Sequence, residues 1–177
     1  MEQRFGFIQN EMDLKVLILY ILRHIKMPVP KEDLIEVTLL CDEGIGYFEF
    51  TECLADLVST EHVSEEDGAY TVTGKGRANG EAAESSLPYS VRIRADKASA
   101  TLSLVLARDS MITASHEMRQ RGGFTVKLSL SDGMGSVINM ELLCGDDKDA
   151  KKMEENFRKN AESIYGEIVW LLLGGEK

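Results

Sequence analysis

Asp67-Gly68 sits just ahead of the alternating run Ala69-Tyr70-Thr71-Val72-Thr73, and three stretches of helical period come before it. That order constrains the fold more than any other feature of the chain. Asp-Gly supplies the positive φ that a tight hairpin turn needs. The expected hairpin has His62-Val63-Ser64 as one arm, Glu65-Glu66-Asp67-Gly68 as its turn and residues 69–73 as the other arm. Tyr70 and Val72 alternate with Thr71 and Thr73, the pattern of a half-buried strand.

The helices before it read from their apolar spacing. Leu14, Leu17, Ile18, Ile21, Leu22 and Ile25 form one stripe and predict a helix over 12–26. Met27-Pro28-Val29-Pro30 stops it, because proline lacks the amide proton and restricts its predecessor. A second helix is predicted over 31–40, with Glu32 and Asp33 at its positive end and Leu34, Ile35, Thr38 and Leu39 facing inward. Gly44 and Gly46 mark the next turn. A third helix is predicted over 47–60 on Tyr47, Phe50, Leu54, Leu57 and Val58, with Glu49, Glu52, Asp56 and Glu61 off that stripe. After the hairpin, Thr73 is expected to cap a short helix reaching about Ser85. Three helices followed by a hairpin is the order of a helix-turn-helix with a β-wing, a winged helix.

Glu84-Ser85-Ser86-Leu87-Pro88 reads as a hinge, which divides the chain into an expected winged-helix domain over 1–86 and an α+β domain over 87–177. Val91, Ala95, Ala98, Leu102, Val105 and Leu106 predict a helix after Pro88. Val91 and Ile93, then Leu102, Leu104 and Leu106, leave a strand as the alternative. Three strands are predicted at about 111–120, 123–131 and 136–144, separated by Gly122-Gly123 and Asp132-Gly133. They form an antiparallel meander. A last helix is predicted from about Asp146 to Leu173, with Met153, Phe157, Ala161, Ile164, Ile168 and Leu172 as its stripe. The fold class expected is α+β: a winged helix-turn-helix, then a three-stranded antiparallel meander with flanking helices.

The end of that last helix, Ile168-Val169-Trp170-Leu171-Leu172-Leu173, is apolar on every side. One small sheet does not cover such a surface. Either the same helix of a second copy covers it, or the first domain folds back over it. Ile164, Ile168, Trp170, Leu171 and Leu172 are the expected dimer interface on the first reading.

Charge decides which partners suit the chain. The net charge is -10, and residues 1–80 hold 7 Lys+Arg against 15 Asp+Glu, while residues 81–177 hold 13 against 15. Neutralising phosphates supplies most DNA affinity, yet the expected DNA-reading half is the acidic one. No apolar stretch reaches the roughly 20 residues of a membrane helix. No signal peptide is visible, and the expected location is the cytoplasm. Cys41, Cys53 and Cys144 are widely spaced with no CxxC pair, so neither a disulfide framework nor a zinc site is indicated. They read as small buried apolar residues.

The chain resembles an uncharacterised bacterial family, domain of unknown function 4364. The resemblance rests on residues 10–22, Asn-Glu-Met-Asp-Leu-Lys-Val-Leu-Ile-Leu-Tyr-Ile-Leu, and on Gly46-Tyr47-Phe48 leading the third helix. It continues through Tyr70-Thr71-Val72-Thr73-Gly74-Lys75-Gly76, Leu87-Pro88, Asn156-Phe157 and Ile164-Tyr165. These positions mark a fold and not a reaction. The resemblance implies a winged helix and no established activity.

No phosphate-binding glycine loop, nucleophile elbow or HExxH helix is present. Gly74-Lys75-Gly76 is too short to cradle phosphate. His24, His62 and His116 lie far apart, and nothing nucleophilic accompanies the pair His116-Glu117. The expectation is therefore no enzyme, no metal and no cofactor. Three functions remain. The first is a dimeric transcriptional regulator that contacts DNA through helix 47–60 and the wing, with Lys26, Lys31, Tyr47, Thr51, Lys75 and Arg77 as candidate contacts. Its acidic surface weakens that contact. The second is a protein-interaction module whose acidic helix face, Glu49, Glu52 and Asp56, binds a basic partner. The third is a small-anion sensor using Arg92, Arg94, Arg119 and Arg121.

Overall fold

In the computed structural model, which describes residues 7–175, the chain divides into two compact units, Met1–Leu106 and Ala107–Lys177. Among the described residues it has six α-helices and two three-stranded antiparallel sheets.

The first unit begins with α1 (Glu11–His24), capped by Asn10, whose side chain accepts from the Asp13 amide. Its stripe is wider than one face: Leu14 and every residue from Val16 to Leu22 are buried. Neighbours therefore surround it. Tyr20 is among them, and its hydroxyl donates to Asp96 Oδ1 at 2.7 Å. Burial, with Asp96 beside it, pushes the Tyr20 phenol up to about 12.

Where Pro28 and Pro30 predict only a break, Val29–Pro30 forms a short strand, β1. It leads directly into α2 (Lys31–Cys41) and α3 (Tyr47–Ser59). Next come β2 (Val63–Glu66) and β3 (Ala69–Val72). Their connection is tighter than the four-residue turn expected. Asp67 and Gly68 alone make it, at φ 51° and 78°, the two positive values that a two-residue hairpin demands. β1 pairs with the far edge of β3, Val29 opposite Tyr70, giving the strand order β1-β3-β2.

Thr73 caps α4 (Gly74–Ala83) by accepting from the Gly76 amide, and its hydroxyl also donates to the Glu61 carbonyl at 2.7 Å. A Cβ at Gly76 would lie 2.0 Å from the His62 carbonyl oxygen, so only glycine lets α4 meet the start of the hairpin.

A 3-10 turn, Glu84–Ser86, leads to α5 (Tyr89–Met111). The helix reading after Pro88 holds, and the strand alternative does not. Leu87, Val91, Ala95 and Leu102 join the core of the first unit with Leu14, Leu17, Ile18, Phe50 and Leu54. The first unit therefore extends past the 84–88 hinge and 86/87 boundary expected from composition, and α5 continues across the division at 106/107.

The second unit holds β4 (Ile112–Met118), β5 (Phe124–Ser131), β6 (Ser136–Cys144) and α6 (Asp147–Leu172). The sheet is the expected meander, in order β4-β5-β6. Its register places Ala114, Leu128 and Met140 in one row and Ile112, Leu130 and Ile138 in the next. α6 lays Ala150, Met153, Phe157, Ala161 and Ile164 on that face. Asn160 leaves helical geometry at φ -129° and ψ 21°. No helix among the described residues is long and apolar enough to cross a membrane.

Candidate functional site

α3 presents the outward surface that the sequence singles out. Tyr47 and Phe48 stand exposed on its first turn, their rings edge to face at 5.8 Å. Thr51 lies one turn on, its hydroxyl donating to the Tyr47 carbonyl at 2.9 Å. Glu52 and Asp56 are exposed further along. Asp56 pairs with Lys15 of α1 at 2.9 Å.

Beside α3, the hairpin and the start of α2 enclose a groove of about 280 Å³. Lys31 and Thr51 both line it, so two of the candidate DNA contacts come together. Leu54, Ala55 and Val58 line it from α3, and Glu65 and Tyr70 line it from the hairpin. The strand register pairs Glu65 with Tyr70. Burial raises the Tyr70 phenol above its ordinary value, and the negative charge of Glu65 adds to the shift. The sequence assigned Tyr70 and Glu65 to strand and turn, and the groove they complete was not visible there. The period-2 pairing across Asp67-Gly68 was the signal that could have found it.

The remaining candidates divide. Lys26 and Arg77 are exposed, the first after α1 and the second on α4. Lys75 instead turns to the end of α3, where its ammonium donates to the Thr60 carbonyl at 2.7 Å. That is a helix C-terminus, where a cation offsets the unpaired carbonyls. Of the candidate anion ligands, Arg92 and Arg94 lie on the first-unit part of α5, whereas Arg119 and Arg121 lie in the β4–β5 turn of the second unit. Arg94 lies over the Phe7 ring at 5.4 Å and lines a second groove, about 470 Å³, with Val37, Leu40 and Leu102.

The cysteines are buried. Burial raises the thiols of Cys41 and Cys53 to about 11, which keeps them protonated and unreactive at neutral pH.

In the second unit, His116 lies between two carboxylates of α6. Its Nδ1 faces Glu154, and its Nε2 lies 3.1 Å from Asp147 Oδ1. These hydrogen bonds raise the His116 pKa above the ordinary value, Glu154 contributing most. Both ring nitrogens are occupied in tying β4 to the start of α6. Of the expected interface residues, Ile164 packs on the second core, while Trp170, Leu171 and Leu172 are 43%, 63% and 81% exposed.

The fold and its surfaces define a mixed helix-and-sheet protein in which helices flank two small antiparallel sheets. The chain belongs to the family described as domain of unknown function (DUF4364), whose model matches residues 14–172. No curated protein and no solved structure matches the chain.

Proposed function

We propose that the first unit is a winged-helix module of a dimeric transcriptional regulator, which meets DNA through α3 and the β2–β3 hairpin. The observation that carries this reading is the groove between them. It sets Lys31 and Thr51 from two different elements on one surface, with Tyr47 exposed on the first turn of the same helix. A third helix beside a hairpin is the arrangement that enters a major groove while the wing meets the backbone.

The charge sets the strength of that contact. α3 carries Glu49, Glu52 and Asp56 and no Lys or Arg. The bidentate reader of guanine is missing. With Lys75 holding the end of α3, Lys26, Lys31 and Arg77 remain to meet phosphates. Three phosphate contacts give about a 40-fold loss of affinity between 50 and 200 mM salt. Fluorescence anisotropy with mixed-sequence duplex DNA tests this. Micromolar binding at 50 mM salt is expected, weakened by Lys31→Glu with Arg77→Glu. Binding indifferent to that double variant and to salt rejects the mechanism.

A second reading has its own observation. Glu52 on α3 and Glu65, Glu66 and Asp67 on the hairpin are all exposed and all acidic. A surface of one sign repels phosphate and suits a basic protein partner. No DNA binding at 50 mM salt, with capture of a protein that Glu52→Lys plus Glu66→Lys abolishes, selects this reading over the first.

A further inference from the structure

We infer that the last two turns of α6 are a self-association surface, and that their occupant is the same two turns of a second copy, crossed about a two-fold axis. This deepens the dimer part of the reading above and is tested without DNA.

The argument begins with length. α6 has 26 residues, about 39 Å at the helical rise. The central strand β5 has 8 residues, about 27 Å. The helix outruns the sheet that supports it. The residues packed on the second core end at Ile164, Ile168 and Val169 are half-buried beyond it, and the chain there turns apolar instead of polar. Tyr165 is 37% exposed, Trp170 43%, Leu171 63%, Leu172 81% and Leu173 83%.

These side chains do not share one stripe. Trp170, Leu171 and Leu172 are consecutive, so they point around the helix at about 100° intervals. A flat neighbour covers one side only. A crossing helix with the same residues meets one face of each copy, the ridges of one entering the grooves of the other. At about 200 Å² per large side chain, the five exposures amount to roughly 600 Å² per copy. A standard stable interface removes about 800 Å² per partner. Only the side chains on the crossing face count towards that area, so the helix end is the centre of such an interface and not the whole of it.

Charge favours a second copy here over the first unit. Residues 1–80 carry 7 Lys+Arg against 15 Asp+Glu, so two such surfaces repel. Between Tyr165 and Leu173 the one charged residue is Glu167. Like meets like at little electrostatic cost there, which an isologous contact requires. The helix end is also ordered for the task. The amides of Gly174 and Gly175 donate to the Leu171 and Trp170 carbonyls at 3.1 and 3.0 Å. A Cβ at Gly175 would fall 2.1 Å from the indole, so the chain closes directly over Trp170.

Trp170 is the single tryptophan, which makes its fluorescence a reporter of this surface alone. The test is light scattering on the full chain with tryptophan emission measured across a dilution series. The expected result is a particle of twice the 19.7 kDa chain, with emission that shifts to the red on dilution. Leu171→Glu with Leu172→Glu is expected to raise the dissociation constant on the order of a hundredfold or more. Both positions are mostly exposed, so far-ultraviolet circular dichroism is expected to stay unchanged. Leu172→Ala, which adds no charge, is expected to weaken the dimer less. A wild-type monomer at tens of micromolar overturns the inference, whether Trp170 is then wet or covered by the same chain. A double variant that remains a folded dimer overturns it too, because the interface then lies elsewhere.

Discussion

Arg108 and Glu162 meet at two points. Nε donates to Oε1 at 3.0 Å and Nη2 to Oε2 at 2.9 Å. The same guanidinium reaches the carbonyls of Arg158 and Lys159 at 3.4 and 3.3 Å. Those carbonyls immediately precede Asn160, where α6 leaves helical geometry. One fork-shaped side chain from the end of α5 therefore gives the carbonyls beside the kink a hydrogen-bond donor. Arg108→Ala is expected to speed amide exchange across residues 158–164 and to leave α1–α3 unchanged. Equal protection in wild type and variant would show that the kink holds itself. Arg108→Lys is expected to rescue only in part, because an ammonium lacks the planar fork.

The His116 clamp makes the second unit sensitive to pH. Glu154 and Asp147 raise the His116 pKa above its ordinary 6.5. The folded value exceeds the unfolded one, so the contribution is complete below about pH 6.5 and is lost as pH rises through the folded pKa. Asp147 runs the other way. Lys151 first, and His116 second, lower its pKa, so its contribution is present above its ordinary value and disappears as pH falls through the folded one. Chemical denaturation of the second unit from pH 5 to 9 is expected to show a decline that starts near 6.5. His116→Gln is expected to flatten that decline. An imidazole that titrates at or below 6.5 by NMR would refute the clamp.

Two glycines of α4 are expected to respond oppositely to the same substitution. Gly76→Ala places a methyl 2.0 Å from the His62 carbonyl oxygen, and both elements are backbone, so the hairpin must move. A loss of about 2 kcal/mol or more is expected. Gly74 has nothing within 4 Å of its Cβ position and begins the helix, so Gly74→Ala is expected to be neutral or to stabilise by up to about 1 kcal/mol. Equal melting temperatures for the two variants would contradict the close approach.

Among the described residues, each unit has one fully buried phenylalanine. Phe50 is 0% exposed in the first and Phe157 is 1% exposed in the second. Either truncation to alanine is expected to cost about 3–5 kcal/mol. Hydrogen exchange is expected to locate the loss in the unit that holds the mutation, because each residue belongs to a separate cluster. Loss spread evenly over both clusters would mean that the two cores unfold as one.

Much of the architecture was legible because it follows from periodicity. The stripes at Leu14 to Ile25 and at Met153 to Ile164 and the alternation at Val126, Leu128 and Leu130 each mark an element that the structure contains. β1 was hidden because two residues are too few to alternate, and Pro28 and Pro30 signal only a break. The kink at Asn160 was hidden because Phe157, Ala161 and Ile164 keep the stripe continuous across it. Lys75 read as a free cation because its acceptor, Thr60, lies across the hairpin. The His116 clamp was invisible for the same reason: its carboxylates follow 31 and 38 residues later. Contacts between elements are set by packing, and no local spacing records them.

The shared helix fixes where the chain can be cut. A fragment ending at residue 86 would omit Leu87, Val91, Ala95 and Leu102, which are 2%, 0%, 0% and 9% exposed, and would leave their cavity facing water. The shortest piece carrying a complete first core runs to Leu106. Any protease or engineer separating the halves must sever a helix instead of a loop.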